Sequence, residues 1–349
     1  MSIAANELRK DYLLDRWVVI ATQRKKRPTD FVKSAEKRQE GTCAFCPGNE
    51  NMTPPAVLVY LPQNGSIRKD KDKNGLRPKN WLIRVVPNLY PAFSPPQKEE
   101  TKIEKSDFTV QRATGHHEVL VESPLHNEHL GVARISQAVH VVNAYIDRLR
   151  DLSSRPYVKY VSIFRNHGLE AGASLSHTHT QLIATPCIPK TVEEELKASE
   201  GAFKREKKCV FCEIIEKESH SARFIWKNND FTIFAPWASV HPFEFWLFPL
   251  EHQCCLLDLS QAQVKSLAEA LRVSLGGLNS ILNDPPYNFG FHQMTTEACE
   301  SYHWHLEVYP RLSIWAGFEK STGMFINVVS PEDAAKHLRE AMLGEEKKI

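Results

Sequence analysis

At 349 residues the chain has room for one large domain or two of medium size, with ample material for a core. A formal net charge of +2, set over 44 basic and 42 acidic side chains, gives no single-sign field that would argue for a nucleic-acid or acidic partner. Met1 to Tyr12 has no apolar leader core and no run reaches the length of a membrane span, so the expected compartment is the cytoplasm and no membrane partner is expected.

In chain order, Arg16-Trp17-Val18-Val19-Ile20 reads as a first strand. Arg24-Lys25-Lys26-Arg27-Pro28 sets four cations before a proline; taken alone it fits a solvated turn as well as an anion-binding loop. Cys43-Ala44-Phe45-Cys46 has the spacing of a metal half-site. Four of the eight cysteines fall in two such pairs, which in a reducing compartment favours metal over disulfide. Cys187, Cys254, Cys255 and Cys299 lack that spacing and read as packing residues. The stretches 63–79 and 94–107 are rich in Lys, Glu, Pro and Gly and read as loops. Val119 to His126 reads as a strand with His126 at its end. Ser136-Gln137-Ala138 is expected to cap a helix whose apolar stripe is Val139, Val142, Ile146 and Leu149.

The β-branched run Tyr160 to Phe164 reads as a buried strand ending at Arg165-Asn166-His167-Gly168. After it comes Ala171-Gly172-Ala173-Ser174-Leu175-Ser176-His177-Thr178-His179-Thr180-Gln181. On a strand, His177, His179 and Gln181 share one face while Thr178 and Thr180 point away. Two imidazoles and an amide then converge beside a Gly-Ala-Ser segment that lets a ligand approach the backbone. This suits a phosphoryl group: an imidazole supplies the nucleophile, and the amide and backbone N–H groups hold the oxygens. Glu193 opens a polar connection running to Lys208, and the expected units are residues 1–195 and 196–349.

Beyond that connection the pattern returns. Cys209-Val210-Phe211-Cys212 echoes Cys43 to Cys46, and Phe245 to His252 echoes the strand ending at His126. Ser260-Gln261-Ala262 opens a second amphipathic helix with Leu267, Leu271, Leu275, Leu278 and Leu282 as its stripe. His303-Trp304-His305-Leu306-Glu307 echoes His177 to Gln181. The separations 252 − 126, 292 − 166, 303 − 177 and 305 − 179 all equal 126, which points to an internal duplication. Each half thus offers two thiolates and two imidazoles: Cys43, Cys46, His126 and His177, then Cys209, Cys212, His252 and His303. Such sets suit structural Zn²⁺, two per chain. Only the first half combines the Gly172-Ala173-Ser174 loop with a terminal Gln, because Glu307 would repel a phosphate. The expected nucleophile is therefore His179.

Asn166-x-Gly168, Gly172-Ala173-Ser174 and His177-x-His179-x-Gln181 together resemble the active-site segment of the galactose-1-phosphate uridylyltransferases, a branch of the histidine-triad superfamily. Thr178 stands where family members commonly have proline. The resemblance implies an α+β fold: a duplicated histidine-triad-like unit, a mostly antiparallel sheet of half-barrel form, and flanking helices. It implies UMP exchange between UDP-glucose and galactose 1-phosphate through a uridylyl-His179 intermediate. Gln181, Ser174, Arg24 and Arg27 would hold phosphoryl oxygens, Asn88 would line the nucleotide pocket, and Asn166, Gly172 and Ala173 complete the site segment. Phe318 and Glu319 match the family's hexose-binding segment, commonly offered across a homodimer interface. Some members replace the second zinc by iron held by Glu and His, and Glu195, His292, His305 and Glu307 fall near the matching positions. Two alternatives remain: an adenylyl-transferring ADP-glucose phosphorylase of the same superfamily, and a non-catalytic nucleotide-binding protein. Small sugar nucleotides and hexose 1-phosphates are the expected partners, not nucleic acid.

Overall fold

The computed structural model describes residues 6–21, 26–32, 42–96, 110–295 and 300–349. The strands of the first half are β1 (Glu7–Lys10), β2 (Trp17–Ile20), β3 (Leu58–Gln63), β4 (Ser66–Asp70), β5 (Ile83–Pro87), β6 (His116–Val121), β7 (Tyr160–His167) and β8 (His179–Thr185), with helix α1 (Ile135–Ser153) between β6 and β7. Helices α2 (Lys190–Glu206) and α3 (Val210–Ser219) follow. The second half then runs through β9 (Phe224–Lys227), β10 (Phe231–Phe234), β11 (Phe245–Pro249), α4 (Gln261–Leu282), β12 (Tyr287–His292) and β13 (His305–Pro310). Helix α5 (Gly317–Thr322), strand β14 (Phe325–Asn327) and helix α6 (Pro331–Glu346) complete the chain.

Eleven strands form one sheet in the order β4-β3-β5-β6-β8-β7-β12-β13-β11-β10-β9, and β1-β2-β14 form a small second sheet. Read outward from the β7–β12 seam, both sides run strand, strand, strand, strand in the same connectivity, each with its long helix inserted before the seam strand. The β7/β8 and β12/β13 ladders correspond residue for residue: Phe164 faces Gln181 and Gly290 faces Glu307, so 290 − 164 = 126 and 307 − 181 = 126. The next strand outward departs from this register. Leu120 faces Thr180 while Leu247 faces Leu306, so β11 is displaced from β6 by 247 − 120 = 127.

One face of the large sheet packs on α1, α4 and α6 in a single core that includes Leu120, Leu182, Leu149, Leu271, Leu306 and Met342. Each such side chain contributes at most about 1.5–3 kcal/mol on burial. Ser260 caps α4 as expected, accepting from the Gln263 N–H at 3.2 Å while Gln263 Oε1 accepts from the Ser260 N–H at 2.9 Å. All five expected leucines of the α4 stripe are buried. Helix α1 differs at its start: Arg134 is the N-cap, and Ser136 lies inside the first turn without capping. The loop expected at 63–79 holds β4, paired with β3 through an Asn64-Gly65 turn in which both residues have positive φ. The polar stretch after Glu193 is helix rather than open connection. Buried Val192, Glu195, Ser199 and Ala202 give it a packed side that the charge-rich sequence conceals. Of the four cysteines read as packing residues, Cys255 is buried and free, Cys187 is exposed and Cys254 is disulfide-bonded; Cys299 lies outside the described residues. Among the described residues no helix is long and apolar enough to cross a membrane.

Candidate active site

Strand β8 lies between β6 and β7, so its side chains are fixed from both edges. His179 sits opposite Val121, and Gln181 opposite Val119. His177, His179 and Gln181 occupy the face away from α1. Thr180 meets the Tyr145 hydroxyl of α1 at 2.8 Å on the other face, as the strand period requires.

His179 is buried, and its Nδ1–H donates to the His177 carbonyl at 2.7 Å. That bond leaves Nε2 as the lone-pair nitrogen. Burial pushes the imidazole below its usual range, and the nearby Arg165 cation pushes the same way. The ring is thereby held neutral, the form a nucleophile needs. Phe45, inside the first Cys pair, packs edge-on against His179 with centroids 5.5 Å apart.

Gln181 is oriented by a residue that the sequence reading missed. Ala92 N–H donates to His117 Nδ1 at 3.2 Å, so His117 Nε2–H donates to Gln181 Oε1 at 2.8 Å. With its oxygen engaged, the Gln181 amide presents N–H groups as donors. Asn88 stands beside the same ring, its Nδ2 3.1 Å from His117 Nε2. No local sequence signal marks His117: it lies on β6 opposite Ile183 of β8, the strand that carries Gln181, and the two meet only when those strands pair.

The preceding loop turns sharply at Gly168 (φ 81°) and Gly172 (φ 87°), backbone conformations that disfavour side chains. Gly172 N–H donates to the Leu169 carbonyl and Ala173 N–H to that of Gly168, which leaves Ser174 exposed. Asn166 Oδ1 accepts from Asn288 Nδ2 at 2.8 Å, and the same amide donates to the Ala171 carbonyl. A residue of the second half therefore braces the loop of the first.

Cys43, Cys46, His126 and His177 converge, with Cys46 Sγ 3.4 Å from His126 Nδ1 and 3.5 Å from His177 Nδ1, and Cys43 Sγ 3.6 Å from His177 Nδ1. Tetrahedral bonds of ~2.3 Å to sulfur and ~2.0–2.1 Å to nitrogen would place S and N about 3.5 Å apart, so the set fits such an ion. His177 Nε2–H donates to the Ser123 carbonyl at 2.8 Å, which frees Nδ1 for the metal. Cys209, Cys212, His252 and His303 repeat the arrangement, with Cys212 Sγ 3.3 Å from His252 Nδ1 and 3.5 Å from His303 Nδ1. Here His303 Nε2 has no partner among the described residues.

Glu195, His292, His305 and Glu307 also converge. Burial would lower His292, but the Glu195 and Glu307 carboxylates raise it to about 9. The imidazolium so formed sits 2.9 Å from Glu195. His305 repeats the backbone bond of His179, Nδ1 to the His303 carbonyl at 3.2 Å, but Phe248 stacks on its ring at 4.8 Å. A cavity of about 250 Å³ lies beside this cluster, lined among others by Arg16, His241, Glu244 and Trp315.

Among the described residues, Arg27, Phe318 and Glu319 are joined to His179 by no hydrogen bond, ion pair or ring contact. Arg27 is exposed and caps a single turn through its N–H to Asp30, and Arg24 lies outside the described residues. Glu319 caps α5, its Oε2 accepting from the Ala316 N–H at 2.9 Å, and Phe318 is exposed.

A family model described as galactose-1-phosphate uridyl transferase, N-terminal domain, matches residues 59–189, and a domain of unknown function (DUF4921) matches residues 127–348. The chain is 35% identical over 347 residues to an ADP-glucose phosphorylase of Arabidopsis thaliana, covering 97% of this chain and 93% of that protein. It is 30% identical over 345 residues to a galactose-1-phosphate uridylyltransferase of Thermotoga maritima, covering 96% and 98%. The chain belongs to the histidine-triad superfamily, in the branch of these two enzymes. A crystal structure of an ADP-glucose phosphorylase from Arabidopsis thaliana with bound ADP-glucose superimposes with a TM-score of 0.79 at 31% identity, covering 96% of this chain and 99% of that one. The duplicated His/Cys motifs and the relatives make the chain an enzyme, a nucleotidyltransferase.

Proposed function

We propose that the chain is an ADP-glucose phosphorylase, moving an adenylyl group from ADP-glucose to inorganic phosphate through His179. What carries the reading is the 35% identity to the Arabidopsis thaliana enzyme of that name, held over nearly the whole of both chains. His179 Nε2 attacks the α-phosphorus, the bond to glucose 1-phosphate breaks, and a P–N bond to the imidazole forms. A phosphate oxygen then attacks the same phosphorus, and the P–N electron pair returns to Nε2 as ADP leaves. Gln181 N–H groups and the exposed Ser174, just past the Gly172-Ala173 turn, receive the negative charge that grows on the phosphoryl oxygens. Arg24 and Arg27 pair with phosphate, Asn88 and Asn166 line the nucleotide side, and Phe318 with Glu319 receives the sugar, across a homodimer interface.

Cys43, Cys46, His126 and His177 would hold one zinc, and Cys209, Cys212, His252 and His303 a second, the alternative to that second zinc being iron held by Glu195, His292, His305 and Glu307. The ions would cross-link segments distant in the chain and take no part in bond making. The two histidine-triad units divide at residues 195 and 196.

The uridylyl reading, with galactose 1-phosphate as acceptor, keeps support from the N-terminal family model and the Thermotoga maritima relative. ADP-glucose and UDP-glucose, each offered with phosphate and with galactose 1-phosphate, separate the two. Faster turnover of ADP-glucose with phosphate is expected; faster turnover of UDP-glucose with galactose 1-phosphate would overturn the adenylyl assignment. His179→Asn should form no acid-labile nucleotidyl-enzyme from either donor.

A further inference from the structure

Beneath the candidate nucleophile, on the helix face of the sheet, lies a fully buried carboxylate. Glu122, 1% exposed, follows β6 directly. Its Oε2 accepts from Arg165 Nη1 of β7 and from Thr178 Oγ1; its Oε1 accepts from Thr180 Oγ1 at 2.5 Å and from the Tyr145 hydroxyl at 3.4 Å. Arg165 Nη1 also donates to Thr178 Oγ1 at 3.1 Å. Thr178 and Thr180 flank His179 in sequence, so one carboxylate grips the strand on both sides of the attacking ring.

Burying an ion pair in a core is seldom the most stable solution, since packed apolar side chains of similar volume do as well or better. The chain contains its own control. The corresponding ladders place Phe291 at the position of Arg165, Trp304 at that of Thr178 and Leu306 at that of Thr180. The β6–β8 and β11–β13 registers place Pro249 at that of Glu122. Phe291, Trp304 and Leu306 are all buried in the main core, with Phe291 and Trp304 rings 6.0 Å apart. The fold is therefore built once with a polar set and once with an apolar set at the same four positions. The polar set lies under the half that carries His179 and Gln181.

We infer that Glu122, Thr178 and Thr180 are positioning residues for the transfer step: the shared carboxylate fixes the twist of β8 so that His179 Nε2 lies in line with the α-phosphorus. This rests on the reading of His179 as nucleophile. A strand held only by its backbone ladder can rock about its axis. Two side-chain anchors on the far face remove that freedom, and a displacement of about 1 Å at a reacting atom costs on the order of 100-fold in rate.

The test compares Thr178→Val, Thr180→Val, Thr180→Ser and His179→Asn by single-turnover formation of labelled nucleotidyl-enzyme from ADP-glucose and from UDP-glucose. Valine keeps the shape and removes the donor, while Arg165 stays on Glu122. Each valine variant should slow label formation at saturating donor about 10- to 100-fold, with KM within about twofold and metal content unchanged. Thr180→Ser should recover most of the rate, which a loss of packing alone would not allow. Wild-type rates in both valine variants, an effect confined to KM, or a serine variant no better than valine would overturn the inference. If Thr178→Val does not fold, Thr180→Val decides. Label formation by His179→Asn would overturn this inference and the function reading together. A dead His179→Asn beside fully active valine variants would overturn the inference alone.

Discussion

Glu50, four residues after the first Cys pair, shows how single charges secure the metal loop. Its carboxylate accepts from the Gly48 N–H and the Trp81 indole, each at 3.1 Å, and pairs with the Lys79 ammonium. Burial would raise this carboxyl, but Lys79 and the two N–H donors outweigh it and hold it at about 2. An unfolded Glu titrates near ~4.3. Because the folded value is depressed, the stabilisation is complete above ~4.3 and is lost as pH falls from there towards about 2. Glu50→Gln should remove part of the acid sensitivity of the melting temperature in that window while lowering stability at neutral pH. Parallel wild-type and Glu50→Gln curves of melting temperature against pH would contradict this assignment. At this scale the sequence was partly legible. His179, Gln181 and the Cys/His sets were readable because strand period and Cys-x-x-Cys spacing dictate which residues meet. His117, Glu122 and Arg165 were not, since their partners lie on other strands and nothing local marks them.

Among the elements, α4 was legible from end to end because a capping box and a leucine stripe agree. The start of α1 was misplaced because Ser136 looks like a cap, while the chain enters the helix at Arg134 in an extended conformation. Strand β4 was hidden by its charges, although Asn64-Gly65 is a hairpin signal that could have revealed it. Helix α4 also carries Gly276-Gly277, which cost helix propensity and are explained by packing. A Cβ on Gly277 would come within 2.8 Å of Met342 Cγ and 3.2 Å of its backbone N, so α6 crosses α4 at close range. Gly277→Ala should gain intrinsic helix propensity yet destabilise the protein by about 1–3 kcal/mol through overpacking against α6. Urea unfolding would measure it, and a variant as stable as the parent would mean that α6 gives way at little cost.

The eleven-stranded sheet is continuous across two related halves, and the seam is where they depend on each other. Strand β7 pairs with β12 from Tyr287–His167 to Phe291–Ile163, and Asn288 reaches across to the Asn166 and Ala171 side of the loop. The 126-residue echo was visible in the sequence, but the one-residue slip at β11 was not, because it appears only when strands are paired. The two Cys/His clusters sit in equivalent places with unequal surroundings. Phe45 of the first packs against His177 and His179, as Phe211 of the second packs against His305, but the His305 ring is also covered by Phe248. Both clusters tie a loop or helix to the segment that leads into a strand, so each ion should contribute to folding. Only the first bears on His179. Metal analysis should find about two zinc ions per chain, and Cys46→Ser and Cys212→Ser should each lose one and lower the melting temperature. Cys46→Ser should also slow nucleotidyl-enzyme formation by about 10- to 100-fold, as loss of outer support for a site residue typically does. Cys212→Ser should leave that rate per folded chain within about twofold, because the seam transmits position through backbone pairing and Asn288 rather than through the second cluster. Equal loss of transfer in both variants would show that the second half holds the first through its metal, and the proposed division of labour between the halves would fall.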